Sequence, residues 1–226
     1  MDDVGILAFT LEVALLSTLA ILPPGLLAAW ALARWRGPTS RAKPLIETLL
    51  ALPLVLPPTA VGLLLLQLLA PRTFLGRLLS ALSFDVVFTW RAVVIATAVM
   101  SFPLLVRSAR TAFEEVDPKL LDVARTLGSP PLDVFRRVTL PLAFRGVLSG
   151  TVLAFSRALG EFGATVIVAG YAPDGRQTLA LAIFHRTELR ADAAAMRLVA
   201  IAVVLSFAAI WTSEVVARRR TRRLES

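Results

Sequence analysis

Five long apolar runs are the feature that most constrains what this chain can fold into. A helix needs roughly 20 mainly apolar residues to cross the ~30 Å hydrocarbon core of a bilayer, and each run is near that length. Hydrophobic residues make up 57% of the chain, above the roughly 45–50% of soluble domains. We therefore expect an all-α, polytopic membrane protein with five or six transmembrane helices. The runs predict helices near residues 7–33, 45–70, 91–107, 139–160 and 197–217.

Prolines inside the first two runs predict kinked helices. A proline removes one backbone hydrogen bond, which a membrane helix tolerates when its neighbours satisfy the freed carbonyl. The kinks could serve packing alone, or the irregular helices could line a path. The prolines are Pro23 and Pro24 in the first run, and Pro53, Pro57 and Pro58 in the second.

The distribution of Lys and Arg predicts the orientation in the membrane. Cytoplasmic loops hold the positive excess, and one set of segments carries roughly twice as many basic residues as the other. With five spans, the N-terminus is expected outside and the C-terminus in the cytoplasm. The basic segments are 34–44, 107–138 and 218–226, and the opposite side holds the N-terminal stub, 71–91 and 171–197.

The external segment 171–197 exceeds a simple turn. Its apolar stretch from Leu179 to Phe184 is too short to span a bilayer, so it predicts a short surface or re-entrant helix. A sixth crossing here would move the basic tail to the other side of the membrane, which its arginines oppose.

The net charge of +8 does not predict a nucleic-acid partner. The basic residues are spread over three segments on one side of the membrane, where anionic lipid attracts each by about 1 kcal/mol. Membrane lipid is therefore the expected partner of these charges. We expect one transmembrane domain over residues 7–217, a long cytoplasmic loop at 108–138 and a basic cytoplasmic tail at 218–226.

The chain offers little for catalysis. Cysteine is absent and His185 is the single histidine, so cysteine-based metal sites and nucleophiles are excluded. The rival from another functional class is an intramembrane serine protease that uses Ser156 and His185. These residues fall on different segments, and no Gly-x-Ser-x-Gly context surrounds the serine.

The loop 108–138 is too long to be only a connector, because helix connections in bundles usually have roughly 2–8 residues. Asp117-Pro118 predicts the start of a short helix. Leu120, Val123, Ala124 and Leu127 then recur at helical spacing and predict one apolar face. Gly128 is the natural left-handed terminator of that helix.

A second short helix is predicted from Ser129-Pro130 onwards. Its exposed side is expected to combine Leu132, Phe135 and Arg136, a mixture suited to a groove on a partner protein. Two short helices joined by a glycine would form a knob that projects from the membrane.

The same loop resembles the cytoplasmic signature of ABC importer permeases. That signature reads E-A-A, three residues, G, nine residues, I, one residue, L-P. Asp122 stands at the Glu position, Ala124 and Gly128 match, and Val138-Thr-Leu-Pro141 ends the pattern. We refer to residues 108–138 as the coupling loop.

Three further stretches resemble the molybdate permeases of this importer class, a group within the binding-protein-dependent permeases. They are residues 52–62 (LPLVLPPTAVG), 100–107 (MSFPLLVR) and 150–165 (GTVLAFSRALGEFGAT). The similarity covers roughly residues 9–215. Related sulfate and tungstate permeases share much of it, so these oxyanions stay open as alternatives.

The resemblance implies a working assembly. Two copies of the chain would pack around a two-fold axis, and each knob would dock on one subunit of a cytoplasmic ABC ATPase dimer. That ATPase would bind ATP and Mg, and a periplasmic oxyanion-binding protein would deliver the substrate. Alternating access by rigid-body rocking needs no catalytic residue, metal or cofactor in this chain. The residues expected to dock on the ATPase are Asp122, Ala124, Gly128, Leu132, Phe135 and Arg136.

Hydroxyl groups are the expected lining of a path for an oxyanion. Each could instead hydrogen-bond the backbone of its own helix. The candidates are Thr59, Thr97, Ser101, Thr151 and Ser156.

Arg157 and Glu161 are spaced i, i+4 and predict an ion pair. If the fourth span starts near Thr139, Arg157 lies about 27 Å up the helix, near its external end. The pair could clamp the turn from Gly160 to Gly163 or form an external gate.

Overall fold

The computed structural model describes residues 2–35, 42–171 and 173–222, and for Pro173 and residues 212–222 it describes the backbone alone. Every regular element in these ranges is helical, which confirms the all-α prediction. A π-helical turn (Phe135–Thr139) joins α7 to α8. The helices are α1 (Asp3–Arg34), α2 (Ala42–Val55), α3 (Pro58–Leu69), α4 (Phe74–Ala81), α5 (Trp90–Glu114), α6 (Pro118–Thr126), α7 (Pro131–Val134), α8 (Leu140–Leu159), α9 (Gly163–Ala169), α10 (Leu179–Glu188) and α11 (Asp192–Arg222).

Four stretches of the described chain are long and apolar enough to cross a membrane. They are α1, α5, the continuous stretch Pro131–Leu159, and Asp192–Trp211 of α11. The pair α2 and α3 would make a fifth span if it counts as one, so the prediction of about five spans is confirmed.

The prediction of one kinked helix over residues 45–70 is wrong. Helices α2 and α3 meet at 110°, and at about 1.5 Å per residue neither reaches across a ~30 Å core alone. The cause is Pro57-Pro58, since two successive residues lack the N–H that would continue the helical ladder. Pro57 instead takes an extended ψ of 133° and precedes the first turn of α3.

The core of the bundle is the packing of α5 against α1 and α8. Small residues bring α5 and α8 close together. A Cβ atom added to Gly146 would lie 2.3 Å from the Cβ of Ala112, and one added to Gly150 would lie 2.8 Å from the Cβ of Ser108. The Ser108 hydroxyl donates a hydrogen bond to the Gly146 carbonyl at 3.1 Å, as small polar residues do in membrane helix pairs.

Helix α5 extends beyond the predicted end at residue 107. Its last turns carry Arg107, Arg110 and Glu114, and the helix ends only ahead of Asp117-Pro118. The polar residues from Arg107 onwards end the apolar run, but they do not end the helix, because Arg and Glu are good helix formers.

Helix α10 is the short helix predicted in the external segment 171–197. It is tied to the start of α1, because the buried Thr10 hydroxyl accepts the Leu179 N–H at 2.8 Å and Arg186 pairs with Asp3 at 2.8 Å. No sixth helix of spanning length occurs in the part of the chain that the structure describes.

Helix α11 is longer than the predicted 197–217 and runs to Arg222. The side chains of the basic tail at 218–226 lie outside the described residues, as do residues 36–41 of the first basic loop.

Candidate coupling interface and transport path

The coupling loop folds around helix α6 with defined ends. Asp117 caps its N-terminus by accepting the Lys119 N–H at 2.9 Å, ahead of Pro118 in the first turn. Gly128 has φ +82°, the Gly128 N–H bonds the Arg125 carbonyl, and the Ser129 N–H bonds the Ala124 carbonyl. These two bonds form the glycine-terminated Schellman motif, which confirms the predicted terminator.

The two sides of α6 differ from the predicted pattern. Leu121 is buried and Ala124 packs beside it against the bundle, whereas Leu127 is 80% exposed and Leu120 and Val123 are also exposed. The predicted apolar face is present for Leu120, Val123 and Leu127, which share the exposed side of α6, whereas Ala124 lies on the inner side. The spacing of Leu121 and Ala124, at i and i+3, marks the inner face and could have been found in the sequence.

The second helix of the knob is not a separate element. Helix α7 has four residues and continues through the π-helical turn into α8. Pro141 lacks the N–H for a regular bond to the Arg137 carbonyl, and its ring crowds that carbonyl, so the helix widens there. The buried Thr139 hydroxyl donates to the Val134 carbonyl within this turn, at 3.3 Å.

Phe135 does not lie on the exposed side of the knob, and that prediction is wrong. Its ring packs edge-on against Trp30 of α1 and Phe113 of α5, with centroid distances of 5.2 and 5.8 Å. Aromatic burial stabilises the junction between knob and bundle more than exposure would. Leu132 and Arg136 are exposed as predicted.

The outer side of the knob therefore presents apolar residues interspersed with charge. Asp122 is exposed and pairs with Arg125 at 3.0 Å, and a Cβ added to Gly128 would meet no atom of the described residues within 4 Å. We call this outer side the coupling surface. Its residues are Leu120, Asp122, Val123, Leu127, Gly128, Leu132 and Arg136.

Helix α2 is attached to α5 by charges that the sequence reasoning missed. Arg110 contacts Glu47 and Glu114, each at 2.8 Å, and Lys43 lies 3.6 Å from Glu114. No residue of α2 is buried in this chain. The i, i+4 spacings of Lys43 with Glu47 and of Arg110 with Glu114 were visible in the sequence, but the link between the two helices was not.

The predicted ion pair of Arg157 and Glu161 is present at the end of α8, with a distance of 2.6 Å between Nη2 and Oε2. The Glu161 side chain is 1% exposed and that of Arg157 is 29% exposed. The other carboxylate oxygen of Glu161 accepts the Ala164 N–H at 2.9 Å, so this side chain also holds the first turn of α9.

Helix α9 in turn packs on α3. A Cβ atom added to Gly62 would lie 2.7 Å from the Ala164 carbonyl oxygen, so the two backbones are in close contact. Glu161 therefore connects α8, through α9, to the bent α2–α3 pair.

The candidate hydroxyls of the path do not behave alike. Thr151 donates to the Val147 carbonyl at 2.8 Å, so its hydroxyl bonds the backbone of its own helix. The Ser101 hydroxyl is fully buried and bonds no described residue, and the same is true of Thr165, which the sequence reasoning missed. Thr59 is exposed in the first turn of α3, and Ser156 is half-buried on α8.

His185 and Ser156, the residues of the protease alternative, lie on α10 and α8 respectively. The His185 Nδ1 is 3.1 Å from the Gln177 amide nitrogen. The histidine is thus engaged by an amide group in its own segment.

Comparison with known proteins decides the family. Residues 21–222 match the family described as the binding-protein-dependent transport system inner membrane component. The chain belongs to this family. The permease is accordingly a multi-pass protein of the inner membrane, in agreement with its apolar helices.

The molybdenum permeases among the curated relatives are similar over nearly their whole length, and a sulfate permease is similar over part of its length. The molybdenum transport system permease protein ModB of Escherichia coli (strain K12) is 43% identical over 92% of this chain and 91% of its own. ModB of Haemophilus influenzae is 38% identical over 98% and 96%. The sulfate transport system permease protein CysT of Salmonella typhimurium is 35% identical over 73% of this chain and 58% of its own.

Solved structures support the same fold at low sequence identity. A chain of the MetNI methionine ABC transporter in an inward-facing conformation superposes with a TM-score of 0.71, at 15% identity and 95% and 94% coverage. A bacterial ABC transporter for the import of alginate gives a TM-score of 0.72, at 17% identity and 97% and 80% coverage.

Proposed function

We propose that this permease moves molybdate into the cytoplasm as the transmembrane subunit of an ATP-driven importer. The observation that carries the proposal is the 43% identity to the molybdenum permease of E. coli over more than nine-tenths of both chains. The sulfate permease is less similar and is matched over 58% of its length. Sulfate is therefore the second candidate substrate, and tungstate is the third.

The proposed assembly has three kinds of partner. A second copy of the permease completes the path, a cytoplasmic ABC ATPase dimer supplies the energy, and a periplasmic binding protein delivers the oxyanion. ATP and Mg are bound by the ATPase, while the permease itself binds no cofactor and performs no chemistry. The N-terminus faces outward and the C-terminus inward, as the basic segments favour.

The coupling surface is the proposed docking site for the ATPase. Exposed leucines on a short element can bury apolar area when a partner docks, and each loses only a modest amount of side-chain entropy. Leu127 and Leu132 are the proposed apolar anchors. Asp122 and Arg136 supply the polar rim, and the left-handed Gly128 fixes the angle between α6 and α7.

Two of the docking residues expected from the sequence take a supporting role in this proposal. Phe135 and Ala124 pack against the bundle, so they hold the knob in place while the coupling surface meets the partner. Because α7 continues into α8, a displacement of the knob would be carried directly into a membrane-spanning helix. This geometry supports alternating access by rigid-body rocking.

The Arg157–Glu161 pair and the hydroxyls are proposed parts of the path or of its frame. Glu161 holds the turn into α9, which favours a clamp, while the partial exposure of Arg157 leaves a cation that an oxyanion could meet at the external end. Ser101, Thr59 and Ser156 are the proposed hydroxyl donors, whereas the O–H of Thr151 is already donated to the Val147 carbonyl. Ser101 bonds no described residue but is fully buried, so Thr59 and Ser156 are the more accessible donors.

The test is transport in vesicles that contain the permease, its ATPase and its binding protein. We expect uptake of molybdate that requires ATP and that tungstate inhibits more strongly than sulfate does. A matched preparation without the binding protein is the control, and its uptake should fall to background. Sulfate uptake that exceeds molybdate uptake at equal concentration would overturn the substrate assignment and leave the importer class intact.

A further inference from the structure

A cavity of about 550 Å³ lies between α1, α2 and α5, near the end of α5 that leads into the coupling loop. Its walls are mainly apolar, and α2, which forms one of them, buries no residue in this chain. A hydrophobic occupant would gain dispersion contacts with these walls and would thereby stabilise the attachment of α2. The apolar walls include Leu32, Ala51, Leu54, Pro103 and Val106.

The polar rim of the cavity has one cation without a described partner. Glu47 and Arg110 also line the cavity, but they pair with each other at 2.8 Å. Arg107, one turn earlier on α5, lines the cavity too, is exposed, and forms no ion pair with any described residue. The rim therefore carries one uncompensated positive charge beside an apolar interior.

An apolar interior with a cationic rim is the chemistry of a phospholipid site. We propose that the cavity binds an anionic phospholipid from the leaflet on the coupling-loop side, with an acyl chain between α2 and α5 and its phosphate on Arg107. The bound lipid completes the contact of α2 with the bundle, which the chain itself makes through charges and a few half-buried side chains. The proposal depends neither on which oxyanion is transported nor on which end faces the cytoplasm.

The charge and the apolar area of the cavity together favour a phospholipid over the transported oxyanion as its occupant. A small inorganic anion would pair with Arg107 but would leave the leucine, proline and valine side chains of the walls uncovered. Each CH₂ of an acyl chain gains about 0.8 kcal/mol on leaving water, but a lipid gives up the same gain on leaving the bilayer. The net preference therefore comes from filling the void and from pairing the phosphate with Arg107.

The experiment measures the thermal unfolding midpoint of the purified full-length permease in detergent after removal of lipid. Phosphatidylglycerol, phosphatidylcholine and sodium molybdate are added separately. We expect phosphatidylglycerol to raise the midpoint by roughly 5 °C when it is about 100-fold above its Kd, and the other two to raise it much less. Co-purified lipid is identified by mass spectrometry of the untreated protein, and anionic lipid should be enriched.

Two variants test the two halves of the site. Arg107→Gln removes the charge at an exposed position where misfolding is not expected, and Ala51→Phe fills the cavity. Each should lose at least half of the phosphatidylglycerol shift. The matched control is Arg137→Gln, which removes the same charge from a side chain that is 80% exposed and outside the cavity, and it should keep the shift.

Three results would overturn the proposal. Equal shifts with phosphatidylcholine and phosphatidylglycerol would remove the role of charge, and equal loss in Arg137→Gln would make the effect non-specific. A molybdate shift that disappears in Arg107→Gln, without a lipid shift, would assign the cavity to the transport path. Failure of vesicle uptake would instead count against the proposed function and would not alter the lipid result.

Discussion

Helices α5 and α2 are neighbours, yet they are held in the bundle by different forces. About half of the residues of α5 are buried, and small residues let it contact α8 at close range. No residue of α2 is buried, and its link to α5 consists of a network of four charged side chains together with the half-buried Ile46 and Leu50. The difference predicts that α5 belongs to the rigid core, whereas α2 is held more weakly, by ion pairs and a few half-buried contacts.

The largest effect is expected from a substitution that disturbs the packing of α5 against α8. Gly146→Val should destabilise the permease by about 1–3 kcal/mol or more, because its Cβ would overlap Ala112 and neither backbone can withdraw. The measurement is the unfolding midpoint and the yield of monodisperse protein in detergent.

Gly160→Ala is the control for that substitution. Gly160 has φ −102° and a Cβ there meets no atom within 4 Å, so stability should be unchanged. Equal stability of Gly146→Val and the wild type would mean that α5 and α8 are not in close contact.

The coupling surface gives the next largest expected effect, and it concerns coupling rather than folding. Gly128→Val places a β-branched residue at φ +82°, which is strained, so the end of α6 should shift and displace Leu127. We expect uptake to fall roughly tenfold, about 1.4 kcal/mol, while ATP hydrolysis by the complex continues. Vesicle uptake and ATPase rates are measured on the same preparation.

Gly128→Asn provides the comparison, because asparagine tolerates the left-handed conformation. It should retain most of the uptake. Normal uptake by Gly128→Val would exclude the docking assignment of this loop.

A smaller effect is expected at the ion pair of Arg157 and Glu161, because Glu161 contributes both a charge and a hydrogen bond that holds α9. Glu161→Gln removes the charge facing Arg157 and keeps an oxygen for the Ala164 N–H. Because Arg157 is 29% exposed, water can solvate it, and we expect a loss of only about 1 kcal/mol. Uptake per folded molecule should stay the same if the pair is a clamp, and a changed rate at equal expression would identify a gate.

The smallest change in stability is expected when the ion pairs that hold α2 against α5 are removed. Arg110→Gln removes the contacts to Glu47 and Glu114, whose side chains are partly exposed, so stability should fall by about 1 kcal/mol or less. The effect on the position of α2 relative to α1 should be larger than the effect on stability. Because the sequence has no cysteine, spin labels at Leu49→Cys and Leu27→Cys can report the distance from α2 to α1.

The distance distribution should broaden in Arg110→Gln and, for the wild type, in 1 M salt, which screens such pairs. Arg137→Gln is again the control. An unchanged distribution in Arg110→Gln would mean that α2 is held by contacts other than these charges.

Much of the architecture could be predicted from local features of the sequence. The length of the apolar runs predicted the membrane-spanning helices, and the i, i+4 spacing of Arg157 and Glu161 predicted their contact, because both depend on residues within a few turns. The same holds for the end of α6 at Gly128, where one residue must adopt a positive φ. The coupling loop was located by its length and punctuation.

The tertiary structure decided what depends on residues far apart in the chain. The Phe135 ring lies inside the bundle because it packs there against Trp30 and Phe113. Glu47 pairs with Arg110, which is 63 positions later in the chain. The close contact between Gly62 of α3 and Ala164 of α9 likewise joins distant segments, and no local pattern encodes it. The lengths of the apolar runs and the helix-ending residues thus predicted most of the helical segments, and only packing between distant segments determined which of their faces meet a neighbour and which stay open.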